Sequence, residues 1–260
     1  MTDPRVTGAV HYSQDVAIEG MLHARLLRSP VAHGRVIGVD ASAVPEGVVV
    51  LLPGDVPDLG GYGPQIKDQE VLPQERVRYA GDVVAAVAAE TADEAEEAAG
   101  LIDVEYEELP AVFDEVEAAS EGAMLVHETI NISENDAAYF GIRPQQGTNI
   151  CHLFRLRHGD VEAGFAEADA VVEETYHTAG ATHAPMEPHA AVARWAGDRL
   201  EVTTGTQTPF NMRTDLAELF GIGEEKVRII SPPMGGSFGA KTFVRTEAVA
   251  ACLARKAKRP

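Results

Sequence analysis

The strongest chemical signal in this sequence is a glycine-rich segment, Pro232-Pro-Met-Gly-Gly-Ser-Phe-Gly-Ala-Lys-Thr242. It lies between a strand-like run at residues 226–230 and a helix-like run at residues 243–258. Glycines at a strand-to-helix turn allow positive φ, and they let a ligand reach backbone N–H groups that a Cβ would shield. The N-terminus of the following helix would add a partial positive charge. The pattern predicts a site for a large anionic cofactor of phosphate or pterin size.

The same segment comes close to a P-loop, because residues 235–242 nearly fit G-x-x-x-x-G-K-[ST], with Ala240 in place of the second glycine. A P-loop opens its domain and needs a later strand that carries an acidic metal-binding residue, yet only 18 residues follow Thr242. We therefore reject this type of nucleotide site. On these residues alone, a turn that serves only chain geometry stays as the alternative.

Composition and charge narrow the classes of function. With 45% hydrophobic and 24% charged residues, the 260-residue chain has the profile of a globular protein with one large or two ordinary domains. Its formal charge of −20 argues against a nucleic-acid or anionic-membrane surface. The acidic span 82–121 contains no Lys or Arg. A solvated face is the default interpretation of that span, and a docking surface for a basic partner subunit is the alternative.

Targeting and metal-ligand patterns indicate a cytoplasmic protein without a metal site of its own. The start Met-Thr-Asp-Pro-Arg lacks the basic flank and apolar core of a signal peptide, and no apolar run is long enough to cross a bilayer. Cys151 and Cys252 lie far apart without C-x-x-C or histidine spacing, so each is predicted to be a buried free thiol. Three histidines also lack the spacing of metal ligands, namely His11, His23 and His33.

Hydrophobic patterns predict an α+β unit from residue 6 to about residue 114, with an apolar core of its own. Thr91-Ala-Asp-Glu94 is a capping box that predicts a helix through Ala99. The predicted strands of this unit are 21–27, 34–40, 47–52, 82–89 and 103–107. Residues 113–147 have little periodicity and are predicted to form a connection.

A second, α/β unit is predicted after this connection. Asp160 is expected to cap a short helix, and Thr208 with Pro209 is expected to open another that ends at Gly221. Ala196-Gly-Asp198 is expected to form the turn of a hairpin. The predicted strands are 153–157, 170–177, 189–195, 199–204 and 226–230.

These motifs together resemble the molybdenum-cofactor-binding subunit of the xanthine dehydrogenase and aldehyde oxidase family, which includes the large subunits of aerobic carbon monoxide dehydrogenases. The resemblance covers nearly the whole chain, and the ordered set is specific although no single motif is decisive. The motifs that resemble its a/b hammerhead domain are Val6-Thr-Gly, Asp15, Met21-Leu-His-Ala, Arg28-Ser-Pro-Val-Ala-His33, Tyr62-Gly, Val77-Arg-Tyr-Ala-Gly-Asp82 and Val104-Glu-Tyr-Glu-Glu-Leu-Pro110. Those that resemble its pterin-binding domain are His183-Ala-Pro-Met-Glu-Pro-His189, Thr206-Gln207 and Gly235-Gly-Ser-Phe-Gly-Ala-Lys241.

The resemblance implies an α+β fold in three parts. Residues 1–115 would form an a/b hammerhead-like domain, residues 116–147 a connecting segment, and residues 148–260 the N-terminal part of an incomplete α/β molybdopterin-binding domain. It also implies a molybdopterin-type molybdenum cofactor, which hydroxylates a carbon of an aldehyde, an N-heterocycle or a similar small substrate with oxygen from water. A 2Fe-2S subunit and an FAD subunit would carry the electrons away.

The resemblance also assigns the cofactor-binding residues. Gln207 matches the glutamine whose amide lies beside the molybdenum oxo group, and Gly236, Ser237, Phe238 and Gly239 match the loop against metal and pterin. Ser237 replaces the usual glycine of that loop. Either its Cβ narrows the site or its hydroxyl adds a hydrogen bond.

Two further positions bear on the reaction that the resemblance implies. Thr242 stands where the purine oxidisers of the family carry a glutamate, which argues against a purine substrate. The family's general-base glutamate lies far downstream of Pro260, so no catalytic residue is assigned in this chain. The chain alone is therefore expected to be inactive, as a fragment of a longer subunit or as half of a split one, and the C-terminal remainder becomes an expected partner. A non-catalytic acidic adaptor or assembly half with the same fold is the alternative.

One acidic residue has an open interpretation. Glu187 with His183 and His189 could form an acid–base or metal cluster. In a strand-rich context, however, Met186-Glu-Pro is typical of a structural hydrogen-bonding element. We take that structural role as the default.

Overall fold

The first half of the chain forms two small antiparallel sheets. The structure, a computed structural model, describes residues 3–56, 58–63, 65–132, 137–138 and 141–260. The strands of this half are β1 His23–Arg28, β2 Gly34–Asp40, β3 Val49–Leu51, β4 Arg76–Val77, β5 Val83–Ala89 and β6 Asp103–Glu108. They pair in the orders β1-β5-β3 and β4-β2-β6. Five of the six strands lie where the hydrophobic pattern predicts them, and only the two-residue β4 was missed.

Helix α1, Ala92–Ala99, covers one face of the β1-β5-β3 sheet. Its capping box is confirmed, because Thr91 Oγ1 accepts from the Glu94 N–H at 3.2 Å and the Glu94 carboxylate accepts from the Thr91 N–H at 3.0 Å. Ala95 and Ala98 pack with Val87 of β5 in one buried cluster. Short side chains on this helix face let it lie close to the sheet.

The second half contains a mixed sheet and two longer helices. Strands β7 Ala191–Ala196, β8 Arg199–Thr204 and β9 Val227–Ile230 follow the order β7-β8-β9, with β7 and β8 antiparallel and β8 and β9 parallel. The helices after α1 include α2 Glu115–Ala118, α3 Val161–Glu167, α4 Pro209–Phe220 and α5 Thr246–Ala257. The predicted hairpin and the Asp160 cap are confirmed, the latter by a 3.0 Å bond from the Ala163 N–H to Asp160 Oδ1.

The largest apolar cluster joins the two halves through α5. Leu51 of β3 and Ala86 of β5 belong to the same buried cluster as Val249 and Cys252 of α5. The β1-β5-β3 sheet is therefore covered by α1 on one face and by α5 on the other. The prediction that residues 1–115 hold a separate core is wrong for the second face, because the helix that covers it comes from the end of the chain.

The predicted strands at 153–157 and 170–177 are wrong. Neither segment forms a strand, and residues 151–184 are all exposed. Apolar side chains that a half-buried strand would cover lie in solvent, including Phe154 at 73%, Leu156 at 81%, Val172 at 82% and Tyr176 at 84% exposure. An alternation of apolar and polar residues along the sequence shows which side chains need burial. It does not supply the neighbouring strand, and no described strand pairs with these segments.

The two cysteines differ in environment. Cys252 is buried as predicted, and this burial raises the pKa of its thiol to about 12. Cys151 is exposed, so the prediction of a buried thiol is wrong there. It lies at the start of the exposed segment 151–184, which explains why it has no core to enter. Within the described ranges, no helix is long and apolar enough to span a membrane.

Because segment 151–184 exposes so much apolar surface, we predict that the isolated chain binds anilinonaphthalene sulfonate or self-associates. Replacing Phe154, Leu156, Val172 and Tyr176 by Ser or Thr should reduce the dye fluorescence. Each replacement should change the free energy of unfolding by less than about 0.5 kcal/mol, since these side chains are exposed. A monomeric chain that binds no dye would contradict the prediction.

The shared core predicts that the two halves unfold together. Leu51→Ala should cost about 2–5 kcal/mol, and it should lower the urea midpoint followed by far-ultraviolet circular dichroism. The single tryptophan, Trp195 in β7, should report the same lower midpoint although it lies in the other half. Leu101→Ala removes a leucine that is 44% exposed and serves as the control. An unchanged Trp195 midpoint in Leu51→Ala would show that the halves unfold separately.

Candidate cofactor site

The glycine-rich segment forms a loop after β9 with an unusual backbone. Gly236, Phe238 and Gly239 have φ values of 103°, 54° and 98°. Positive φ is strained for residues with a Cβ, so the predicted need for glycine is confirmed at Gly236 and Gly239. Gly235 is needed for a different reason, since a Cβ there would lie 2.7 Å from the Cβ of Glu187.

Gln207 lies between β8 and α4, and its side chain contacts the loop. Its Oε1 accepts hydrogen bonds from Ser237 Oγ at 2.5 Å and the Gly239 N–H at 3.1 Å. Thr242 Oγ1 lies 3.0 Å from the same oxygen and 2.9 Å from the Gly239 carbonyl oxygen, so its single proton is shared between the two. Because a backbone N–H can only donate, the Gly239 contact identifies the atom facing the loop as the amide oxygen. Gln207 is exposed, and its NH₂ group makes no hydrogen bond to any residue that the structure describes. Two N–H donors are therefore available to a ligand.

The Ser237 hydroxyl forms hydrogen bonds within the loop and to Gln207. The residue is 3% exposed, and besides donating to Gln207 its hydroxyl accepts from the Lys241 N–H at 2.9 Å. Of the two roles left open by the sequence, the structure shows the hydrogen-bonding one. A glycine at this position would leave both contacts unmade.

The end of the loop is bound to the residues around Gln207. The carbonyl oxygen of Lys241 accepts from the Gln207 N–H at 3.0 Å and from Thr206 Oγ1 at 3.2 Å. The hydroxyl of Thr208 donates to the carbonyl oxygen of Thr242. Thr208 does precede α4, as predicted, but its side chain does not cap that helix because it is engaged by the loop.

A buried ion pair lies beneath the loop. Glu187 Oε2 is 2.7 Å from Lys241 Nζ, and the two side chains are 3% and 2% exposed. The same oxygen accepts from the Gly235 N–H at 2.8 Å, while Oε1 accepts from the Ser13 N–H at 3.1 Å and Ser13 Oγ at 2.5 Å. Burial alone would raise the pKa of Glu187, but the bonds from Lys241, Ser13 and Gly235 outweigh it and lower the pKa to about 2. This geometry supports the structural interpretation of Glu187.

The two neighbouring histidines do not join Glu187. In the part of the chain that the structure describes, no group of three or more His, Cys, Asp or Glu side chains could hold a metal ion. His183 borders the loop, since a Cβ on Gly239 would lie 3.5 Å from its Nε2. Desolvation and the nearby Arg245 guanidinium lower the pKa of His189. The geometry does not support an acid–base or metal cluster of these three residues.

The predicted contribution of the helix N-terminus is wrong. Helix α5 begins at Thr246, so residues 243–245 separate it from the loop, and the predicted start at residue 243 is incorrect. The buried carboxylate of Glu247 lies at this end of the helix, where its Oε2 accepts from the Arg245 N–H at 2.8 Å. The glycine loop therefore offers its own backbone and side chains to a ligand, without the helix end.

Sequence reasoning missed several members of this site. Ser13 bonds to Glu187 across 174 positions of sequence, and no local pattern could have revealed that contact. Thr206 stands next to Gln207 in one family-like motif, and His183 begins another, but neither was assigned to the site. Lys241 was identified only as part of a motif.

Two family models match the chain, in the order expected from the motifs. Residues 7–110 match the a/b hammerhead domain of aldehyde oxidase and xanthine dehydrogenase. Residues 142–260 match the molybdopterin cofactor-binding domain. The observed α+β fold and the hammerhead expectation are thereby confirmed.

Individual proteins agree with these matches. The chain is 40% identical to a probable xanthine dehydrogenase subunit of Bacillus subtilis (strain 168), over 98% of this chain and 32% of the relative. It resembles the solved aldehyde oxidoreductase of Desulfovibrio gigas with a TM-score of 0.80 at 26% identity, covering 98% of this chain and 28% of that one. Quinoline 2-oxidoreductase of Pseudomonas putida 86 gives a TM-score of 0.78 at 31% identity, with coverages of 98% and 32%.

The chain thus spans about a third of the length of these relatives, while nearly all of its own residues align with them. The two matching domain models follow each other along the chain and together account for most of its residues. The chain belongs to the xanthine dehydrogenase and aldehyde oxidase family, as an N-terminal portion of the molybdopterin-binding subunit.

Proposed function

We propose that this chain supplies the hammerhead domain and the first part of the cofactor-binding domain of a molybdenum hydroxylase. The enzyme would oxidise an aldehyde, an N-heterocycle or a similar small substrate with oxygen from water, and electrons would pass to iron–sulfur and flavin partner subunits. The observation that carries this proposal is the fixed orientation of Gln207. Ser237 Oγ and the Gly239 N–H donate to its amide oxygen, and this leaves the NH₂ group for an oxygen ligand of the cofactor.

The loop fits a flat cofactor that lies against the backbone. A Cβ on Gly239 would meet only His183 within 4 Å, so the space beside this glycine is otherwise open. Phe238 is 75% exposed, and its ring borders Gly236, where a Cβ would lie 3.3 Å from it. Gly236 and Ser237 complete the loop. These features support the proposed contacts of Gln207 and of residues 236–239 with a molybdopterin-type cofactor.

The bound cofactor would supply the oxygen transfer to carbon and take up the electrons. The role of this chain is to bind and orient that group. The Gln207 amide would donate a hydrogen bond whose direction is already set, which avoids reorganisation when charge develops. The exposed Phe238 ring would exclude water from one side of the site. Glu187 is not available as a general base, because hydrogen bonds engage both of its oxygens.

The substrate proposal rests on Thr242. Its hydroxyl lies 3.0 Å from Gln207 Oε1 and 2.9 Å from the Gly239 carbonyl oxygen. The position therefore offers neither a charge nor a free carboxylate to a substrate, unlike the glutamate that the family's purine oxidisers carry here. This supports a substrate other than a purine.

The partner proposal rests on segment 151–184. The apolar side chains of this segment need burial, and the relatives have about twice as much further chain as this one provides. We propose that the C-terminal remainder of the subunit packs on this segment. The domain boundaries at 1–115, 116–147 and 148–260 and the cytoplasmic location stay parts of the same proposal.

Gln207→Ala in the assembled enzyme should leave the molybdenum content unchanged and lower turnover of an aldehyde or N-heterocycle by about ten- to a thousandfold, since one oriented donor is lost. Gln207→Glu is the matched variant, because it keeps an acceptor for Ser237, Gly239 and Thr242 and removes the N–H donors. It should be slowed at least as much. Wild-type rates in both variants would favour the non-catalytic adaptor.

Gly239→Val should reduce the molybdenum content together with activity. A branched residue at a φ of 98° adds backbone strain of about 1–3 kcal/mol, and its side chain fills the space beside the loop. Gly122→Val is the control, because Gly122 has a φ of 77° and open space around it but lies in the connecting segment. The Gly122→Val enzyme should be destabilised about as much as the Gly239→Val enzyme but should keep its molybdenum. Full molybdenum in Gly239→Val, measured by mass spectrometry, would show that the cofactor does not lie against this loop.

A further inference from the structure

A single carboxylate oxygen binds both ends of the glycine-rich loop. Gly235 at the start of the loop and Lys241 at its end both bind Glu187 Oε2, at 2.8 and 2.7 Å. The Glu187 N–H also donates to the Gly235 carbonyl oxygen at 3.2 Å. The irregular backbone from Gly235 to Lys241 is therefore held at both ends by a single side chain.

Lys241 connects the Glu187 carboxylate to Gln207 through hydrogen bonds. Its carbonyl oxygen accepts from the Gln207 N–H, and its own N–H donates to Ser237 Oγ, which in turn donates to Gln207 Oε1. A displacement of Lys241 would thus shift both the backbone and the amide group of Gln207. The buried ion pair of Glu187 and Lys241 thus affects the position of Gln207, the residue proposed to face the cofactor.

The other oxygen of Glu187 reaches the N-terminal segment. Ser13 lies in a 3₁₀ turn, Ser13–Asp15, and is 2% exposed. Both its N–H and its hydroxyl donate to Glu187 Oε1. A Cβ on Gly205 would lie 3.2 Å from Ser13 Oγ, so the turn packs directly against the segment that leads to Gln207.

We infer that Glu187 and Lys241 are positioning residues that set the conformation of the cofactor loop and couple it to the N-terminal turn at Ser13. The inference rests on the proposed function for the identity of what the loop binds. The coupling itself is a property of the chain without ligand. Because both side chains are almost fully buried, removing one leaves a charge that water cannot solvate.

The test is amide hydrogen exchange of the 260-residue chain without cofactor. In Lys241→Met, peptides covering residues 235–242 and residues 12–16 should lose protection by about tenfold or more, while peptides from β5 stay protected. Lys226→Met is the control, because Lys226 forms a 2.7 Å ion pair with Asp198 whose side chains are 39% and 66% exposed. Such exposed pairs contribute little, so this variant should exchange like the wild type.

The pH dependence separates positioning from simple packing. The carboxyl of Glu187 has a lowered pKa, so its contribution is complete above the ordinary value of 4.5 and is lost only as pH falls toward 2. After correction for intrinsic exchange, loop protection in the wild type should not change between about pH 7 and pH 5. In Lys241→Met the carboxyl has lost its cation, and protonation would remove the unpaired charge, so protection should recover as pH falls. Among the described residues, the other titratable groups near this site include His183, His189, Arg28, Arg245 and Glu247, together with Asp15 of the Ser13 turn.

Two further variants make the outcome decisive. Glu187→Gln combined with Lys241→Met removes both charges and should protect the loop better than Lys241→Met alone. Ser13→Ala removes only one hydroxyl, so this variant is expected to fold. It should still lower the exchange protection of the peptides that cover residues 235–242. The inference is wrong if the loop stays protected in Lys241→Met, if the double variant is no better than the single one, or if Ser13→Ala leaves the loop unchanged. Molybdenum content in the assembled enzyme tests the proposed function separately.

Discussion

A carboxylate in a dry interior needs both an opposite charge and hydrogen-bond donors, and at Glu187 these come from distant parts of the chain. Lys241 and Gly235 come from the glycine loop, and Ser13 comes from the N-terminal turn. Each of these groups must be in place for the others to be satisfied. The loop, the end of β8 and the N-terminal segment are therefore arranged as one unit around a single acidic side chain.

In this site the loop conformation is fixed by internal hydrogen bonds, while other groups stay accessible to a ligand. The amide oxygen of Gln207 accepts from Ser237 Oγ and the Gly239 N–H of the loop, while its NH₂ group is free within the described residues. Phe238 accepts a strained backbone and exposes its ring. The Glu187–Lys241 ion pair and Ser237, which hold the loop from below, are buried, whereas Gln207 and Phe238 are exposed. Such a division suits a large cofactor, because a binding surface that exists before the ligand arrives lowers the cost of binding.

Local signals in the sequence predicted local structure well, and predictions that needed a partner elsewhere in the chain failed. The capping box at Thr91, the hairpin around Gly197 and most strands of the first half are set by neighbouring residues, and the structure has them. Residues 153–157 and 170–177 have the side chains of strands without a strand to pair with. At the site, Gln207 was found only through a family resemblance, since an exposed glutamine carries no chemical signal alone. The contact of Ser13 with Glu187 depends on the tertiary fold and could not be predicted from either end.

The position of α5 against the first sheet has a consequence for biosynthesis. The face of β3 and β5 that α5 covers is complete in the nascent chain long before residues 246–257 are made. At ordinary translation speeds of about 5–20 residues per second, this helix leaves the ribosome on the order of 10 s after β5. During that interval Leu51 and Ala86 lack the cover that α5 gives them in the folded chain, so this face of the first sheet stays exposed. A chaperone that shields apolar strands on the ribosome would have its binding window there.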